Sequence, residues 1–119
     1  MSKEIGDWAE EQAKQYLRNK GYDIQASNWR YSRAEVDIIA YQSPVLVFVE
    51  VKMRKNTHFG TPASFVDKKK QQLLAEAAAV YCEATAYDGE IRFDVISLVG
   101  KPGSHYSIEH LEDAFFPGL

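Results

Sequence analysis

Between residues 3 and 20 the apolar side chains Ile5, Trp8, Ala9, Ala13, Tyr16 and Leu17 recur at steps of three and four, which gathers them into one stripe of an amphipathic helix. Ser2 is placed to cap its start and Gly21 to end it. Tyr22, Ile24 and Ala26 then alternate with polar neighbours, a strand pattern. Tyr31-Ser32-Arg33 turns the chain into a second strand over residues 35–41. A third follows at 45–53, rich in β-branched and aromatic residues and apolar on both faces until Glu50, as a central strand requires. Residues 54–66 carry Gly60 and Pro62, show no period and read as a loop. Asp67 caps a second helix in which Leu73, Leu74, Ala77, Ala78 and Tyr81 keep helical spacing, and strands at 91–99 and, more weakly, 106–108 close the chain. The order helix, three strands, helix, two strands predicts an α/β fold, a mixed central β-sheet flanked by α-helices, in a single domain over 1–119.

Composition narrows the function classes. The 119 residues hold 14 Lys plus Arg against 17 Asp plus Glu, a formal charge of −3 that excludes a uniformly basic nucleic-acid binder. Cys82 is the single cysteine, so no internal disulfide or cysteine-based zinc knuckle is possible, and a free thiol suits the reducing cytoplasm. The apolar run 45–49 is too short to span a bilayer, and no signal peptide is evident, so no membrane role is expected. His58, His105 and His110 have no metal-ligand spacing and read as surface or loop residues.

The chemistry sits on the third strand. Side chains alternate there, so Glu50 and Lys52 share one face, about 6.6 Å apart along the strand. Asp37 lies one strand earlier across a short turn, and antiparallel pairing brings its carboxylate beside Glu50. Two neighbouring carboxylates repel unless a cation lies between them, and a hard divalent ion such as Mg²⁺ takes one or two carboxylates with waters and phosphate oxygens. The acid-any-Lys tripeptide is not rare here; it recurs at Asp67-Lys68-Lys69, where a helix cap explains it. On the residues alone, a metal site and a plain salt bridge of Lys52 with Glu50 or Asp37 both fit. Lys68-Lys69-Lys70 stands at a helix start against the helix dipole, which suits a phosphate partner as well as a solvated face. Trp29, with Arg30 and Tyr31, reads as core cover rather than a base-stacking surface. Arg92 and Asp94 share a strand face, which fits a place near the site as well as an ion pair that fixes the sheet edge.

The stretches Ala34-Glu35-Val36-Asp37-Ile38-Ile39-Ala40, Val47-Phe48-Val49-Glu50-Val51-Lys52-Met53-Arg54, Phe59-Gly60-Thr61-Pro62, Lys70-Gln71 and Arg92-Phe93-Asp94-Val95-Ile96, with Ala9-Glu10 and Gly21-Tyr22, together resemble the YraN-type family. These are small bacterial proteins related to Holliday-junction resolvases in the PD-(D/E)xK nuclease superfamily. The resemblance implies a restriction-endonuclease-like core and a metal-dependent endonuclease acting on DNA, branched or damaged, with Mg²⁺ or Mn²⁺. It implies Asp37, Glu50 and Val51 as metal-binding positions, Lys52 as the catalytic lysine and Glu10 joining from the first helix. Arg30, Arg54, Lys55, Lys69, Lys70 and Gln71 are then the candidate nucleic-acid contacts, and a homodimer follows by analogy with junction resolvases, whose substrate is two-fold symmetric. Ala9 and Ala34 stand where that family usually has glycine, and Val36 where the superfamily's name expects proline. None of the three removes a ligand. The alternative is a nucleic-acid-binding module of the same fold that does not cut.

Charge is unevenly spread. Residues 28–70 carry eight basic and four acidic groups, whereas 71–119 carry two and eight. One basic face on an acidic body is therefore expected, rather than general phosphate affinity.

Overall fold

A computed structural model describes residues 2–55 and 66–116. The elements run α1 (Lys3–Asn19), β1 (Asp23–Tyr31), β2 (Ala34–Gln42), β3 (Val45–Arg54), α2 (Lys68–Ala84), β4 (Glu90–Gly100) and β5 (Tyr106–Leu111). The sheet keeps chain order, β1-β2-β3-β4-β5. Every neighbouring pair is antiparallel except β3 with β4, which are parallel and joined through α2. A parallel pair needs a crossover, and α2 supplies it. The expected mixed sheet with flanking helices is what forms. Among the described residues no helix is long and apolar enough to cross a membrane.

Both helices start where the sequence places their caps. The Ser2 hydroxyl accepts the Ile5 N–H, and the Asp67 carboxylate accepts the Lys70 N–H at 2.8 Å. α1 stops at Gly21, whose φ of +89° a side chain would resist.

The alternation of the strands sorts the core into two layers. Val47, Val49 and Val51 of β3 pack with Ala9, Ala13 and Leu17 of α1, while Leu46 and Phe48 pack with Leu74, Ala77 and Ala78 of α2. By the same alternation Glu50 and Lys52 continue the row on the α2 side. The alanine methyls expected to differ from the family pattern are accommodated: Ala9 and Ala34 are both buried, one in each layer.

Two strands differ from expectation. β1 runs on to Tyr31, beyond the pattern of Tyr22, Ile24 and Ala26, and these three do not share a face. Its register shifts between Ile24 and Ala26, so Ile24 packs on the α1 layer and Ala26 on the α2 layer. β5 likewise extends to Leu111 and carries His110 inward. Trp29 covers the α2 layer edge-on to Tyr81, ring centroids 5.4 Å apart, as core cover should. The predicted loop at 54–66 falls largely outside the described residues, as does Phe59-Gly60-Thr61-Pro62.

Candidate active site

The site forms where β2 and β3 part. Their ladder ends at the pair Ile38–Val49, and the next step of that register sets Asp37 opposite Glu50. No further backbone pair follows; the Val51 N–H donates instead to Asp37 Oδ2 at 2.8 Å. The pleat of β2 also breaks here, since Val36 packs in the α2 layer and Ile38 in the α1 layer. Asn28, at the corresponding step of β1, has a φ of +51°. The interrupted pleat aims a carboxylate at the strand end instead of into either layer.

Glu50 is 5% exposed. Its Oε1 is 2.6 Å from Lys70 Nζ and 3.4 Å from Lys52 Nζ, whereas its Oε2 is buried with no hydrogen-bond partner. A buried polar atom left unpaired is costly, and here it belongs to a carboxylate facing a second carboxylate. Burial, reinforced by the negative charge of Glu50, pushes the Asp37 pKa up to about 7, against the pull of the Val51 N–H. Burial works against the charge on Lys70, but its hydrogen bond to Glu50 holds the ammonium pKa above its ordinary value.

These groups line a cavity of about 690 Å³. α1 contributes Lys3, Asp7 and Glu10, the β1–β2 hairpin Asn28, Arg30, Arg33 and Glu35, and α2 Lys70. Burial raises the Glu10 pKa, with the Asn28 side chain opposing and Glu35 and Asp7 adding to the rise. Asp37, Glu50, Val51, Lys52 and Glu10 are therefore brought together, with Arg30 and Lys70.

Of the expected nucleic-acid contacts, Arg30 and Lys70 line this cavity and the others do not. Arg30 reaches the rim but pairs with Glu35 at 2.8 Å and is largely exposed. Arg54 is mostly buried and joins Glu109 of β5 at 2.6 Å. The Gln71 amide donates to the Val66 carbonyl at 3.0 Å, Lys55 is exposed beside the described chain end, and Lys69 lines an adjoining cavity of about 280 Å³. Lys3, Asn28, Arg33 and Glu35 enter the wall with no signal in the sequence beyond their place near the hairpin and the first helix.

The donor set fits a hard divalent cation. Among the described residues no group of three or more His, Cys, Asp or Glu gathers for a metal. Two carboxylates, one with an orphaned oxygen, match an ion that keeps several waters and accepts phosphate oxygens, as Mg²⁺ and Mn²⁺ do.

Residues 9–98 match the sequence pattern of a family described as "Uncharacterised protein family UPF0102". The chain is 43% identical to a UPF0102 protein of Flavobacterium psychrophilum over 113 residues, covering 95% of this chain and 94% of the relative. It is 46% identical over 114 residues to one of Christiangramia forsetii, with the same coverage, and 41% identical over 116 residues to one of Phocaeicola vulgatus, covering 98% and 95%.

Proposed function

The chain belongs to the UPF0102 family, and we propose that the cavity between β2, β3 and the start of α2 makes it a divalent-metal-dependent endonuclease acting on DNA. One observation carries this reading: Asp37 and Glu50 face each other past the end of their ladder, Glu50 Oε2 has no partner, and Lys52 stands on the same face.

Asp37 and Glu50 would hold Mg²⁺ or Mn²⁺, with the Val51 main chain beside them. The bound ion supplies a water acidified for attack and positive charge against the phosphorane-like transition state. Val51 already fixes the Asp37 carboxylate through its N–H. Lys52, a third exposed in its side chain, reaches the cavity where it offsets charge on the scissile phosphate and orients the incoming water. Water oxygen bonds to phosphorus as the bond to one ester oxygen breaks; the proton lost by the water passes to solvent through the cavity, and the departing alkoxide takes one from solvent. Glu10 faces the same space from α1, while Lys3, Arg30 and Arg33 ring its mouth with positive charge suited to flanking phosphates.

The test is incubation of the purified protein with supercoiled, single-stranded and four-way-junction DNA in Mg²⁺ or Mn²⁺. Cleavage is expected, lowered by at least about 10²-fold in Glu50→Ala and Lys52→Ala. Absence of cleavage on every substrate, or cleavage that survives both substitutions, contradicts the reading. The pairing of Glu50 with two lysines also suits a nucleic-acid-binding module that does not cut. Salt-dependent DNA binding, unaffected by EDTA and without cleavage, is the result that would favour it.

A further inference from the structure

Glu50 has no open oxygen. Its Oε1 is covered by two ammonium groups and its Oε2 is packed away from solvent, so a cation can reach this carboxylate only after a side chain withdraws. The two lysines reach it from different elements. Lys52 leaves the same strand two residues on and is carried by a ladder that pairs β3 with β4 through Arg54–Val99. Lys70 arrives from the first turn of a different element, α2; its side chain is about as exposed as that of Lys52, 36% against 33%, and it makes the shorter contact, 2.6 Å against 3.4 Å.

Lys70 also has somewhere to go. It lines both the 690 Å³ cavity and the adjoining one of about 280 Å³. That second space is lined by Glu35 and Asp67 as well as by Arg33 and Lys69, so the ammonium can leave Glu50 without losing all negative neighbours, although Glu35 already pairs with Arg30. The backbone need not move, because the Asp67 cap holds the Lys70 N–H whatever the side chain does.

We propose that Lys70 is a charge latch on the metal site: its ammonium neutralises the Asp37–Glu50 pair when no cation is bound, and a divalent ion enters by displacing it toward the second cavity. This rests on the metal-site reading above and adds to it a competitor supplied by the chain itself. A charge-assisted hydrogen bond that must be broken on binding subtracts from affinity, so its removal should tighten binding. The opposite role, in which Lys70 orients Glu50 for the ion, predicts the opposite change.

Calorimetric titration of the whole chain with Mn²⁺ separates them. Lys70→Met keeps the aliphatic stem and removes the charge; it is expected to bind Mn²⁺ roughly tenfold more tightly than wild type, about the effect of one charge-assisted hydrogen bond. In EDTA it should melt at a lower temperature than wild type and gain more on addition of Mn²⁺. Lys70→Arg, which retains a cation, is expected to stay within about threefold of wild type and guards against a fold defect in the methionine variant. Equal or weaker Mn²⁺ binding by Lys70→Met, with Glu50-dependent heat still present in wild type, overturns the latch and leaves the metal site standing. No Mn²⁺ heat in wild type that Glu50→Gln abolishes overturns both.

Discussion

Two buried acid clusters sit on this sheet, and they are built in opposite ways. Asp94 on β4 is fully buried, and each of its oxygens accepts two hydrogen bonds: Oδ1 from Arg92 Nε at 2.8 Å and the Asp113 N–H at 3.0 Å, Oδ2 from Arg92 Nη2 at 2.9 Å and His110 Nε2 at 2.7 Å. The network continues outward, since His110 Nδ1 meets the Tyr16 hydroxyl at 3.2 Å and Arg92 reaches the Tyr22 hydroxyl at 2.9 Å. α1 is thereby tied to β4 and β5. Burial alone would raise the Asp94 pKa, but the hydrogen bonds of His110, Arg92 and Asp113 hold it below the ordinary carboxylate value. At the β2–β3 end the balance is reversed. Asp37 is pushed up to about 7, and Glu50 keeps an oxygen with no partner. A carboxylate whose every lone pair is used holds a fold together. A pair in which one carboxyl is pushed toward its neutral form and the other keeps an unpartnered oxygen is left unsatisfied by its own surroundings.

Opposite construction predicts substitutions of opposite sign. The largest effect belongs to Asp94→Asn, which removes the charge from a buried ion pair and turns an amide NH2 toward donors that both carboxylate oxygens now accept from; a loss of about 3–5 kcal/mol in urea denaturation is expected. If it costs no more than a surface change, the two clusters do not differ as described. Asp37→Asn should stabilise the metal-free protein, by about 1–3 kcal/mol at pH 8 in EDTA, because it removes a charge held beside Glu50 and keeps an oxygen for the Val51 N–H.

The pH dependence of that gain sharpens the comparison. The raised Asp37 pKa means that, as pH rises from about 3.8 to about 7, the unfolded chain loses the proton first. Wild-type stability therefore falls across this window relative to Asp37→Asn, and the gap between the two melting curves should close below about pH 4 and be full above about 7. Asp94 behaves in the contrary sense. Its lowered pKa gives stability that is present above its unfolded value, near 3.9, and is lost as pH falls through the lower folded one. The smallest effect is at the network's rim: Tyr16→Phe removes one half-buried hydroxyl, with an expected cost of about 0.5–1.5 kcal/mol and no change in DNA cleavage. A loss of cleavage there would tie the structural cluster to the site.

Much of the second cluster was visible in the sequence, and the reasons are local. Glu50 and Lys52 share a face because strand alternation has period two, and Asp37 meets Glu50 because a short hairpin fixes the register. The helix caps at Ser2 and Asp67 follow from side-chain chemistry within three residues. What escaped depends on contacts far apart in the chain. Lys70 reaches Glu50 only because the α2 crossover sets its first turn over the end of β3, and nothing near Lys70 in sequence encodes that. His110 reads as a surface residue because the strand pattern ends at 108; the partner that draws it inward, Asp94, lies sixteen residues upstream on the neighbouring strand. The length of β1 escaped in the same way, since the register shift between Ile24 and Ala26 interrupts the alternation of its apolar residues.

The pairing of Asp37 with Glu50 as cation ligands is tested most directly by crystals grown with Mn²⁺ and measured for anomalous scattering near the manganese edge. An anomalous peak contacting both carboxylates, absent from Glu50→Gln crystals grown alongside, is the expected result. A map with no peak at that position under saturating Mn²⁺, or one whose peak survives in Glu50→Gln, would contradict it.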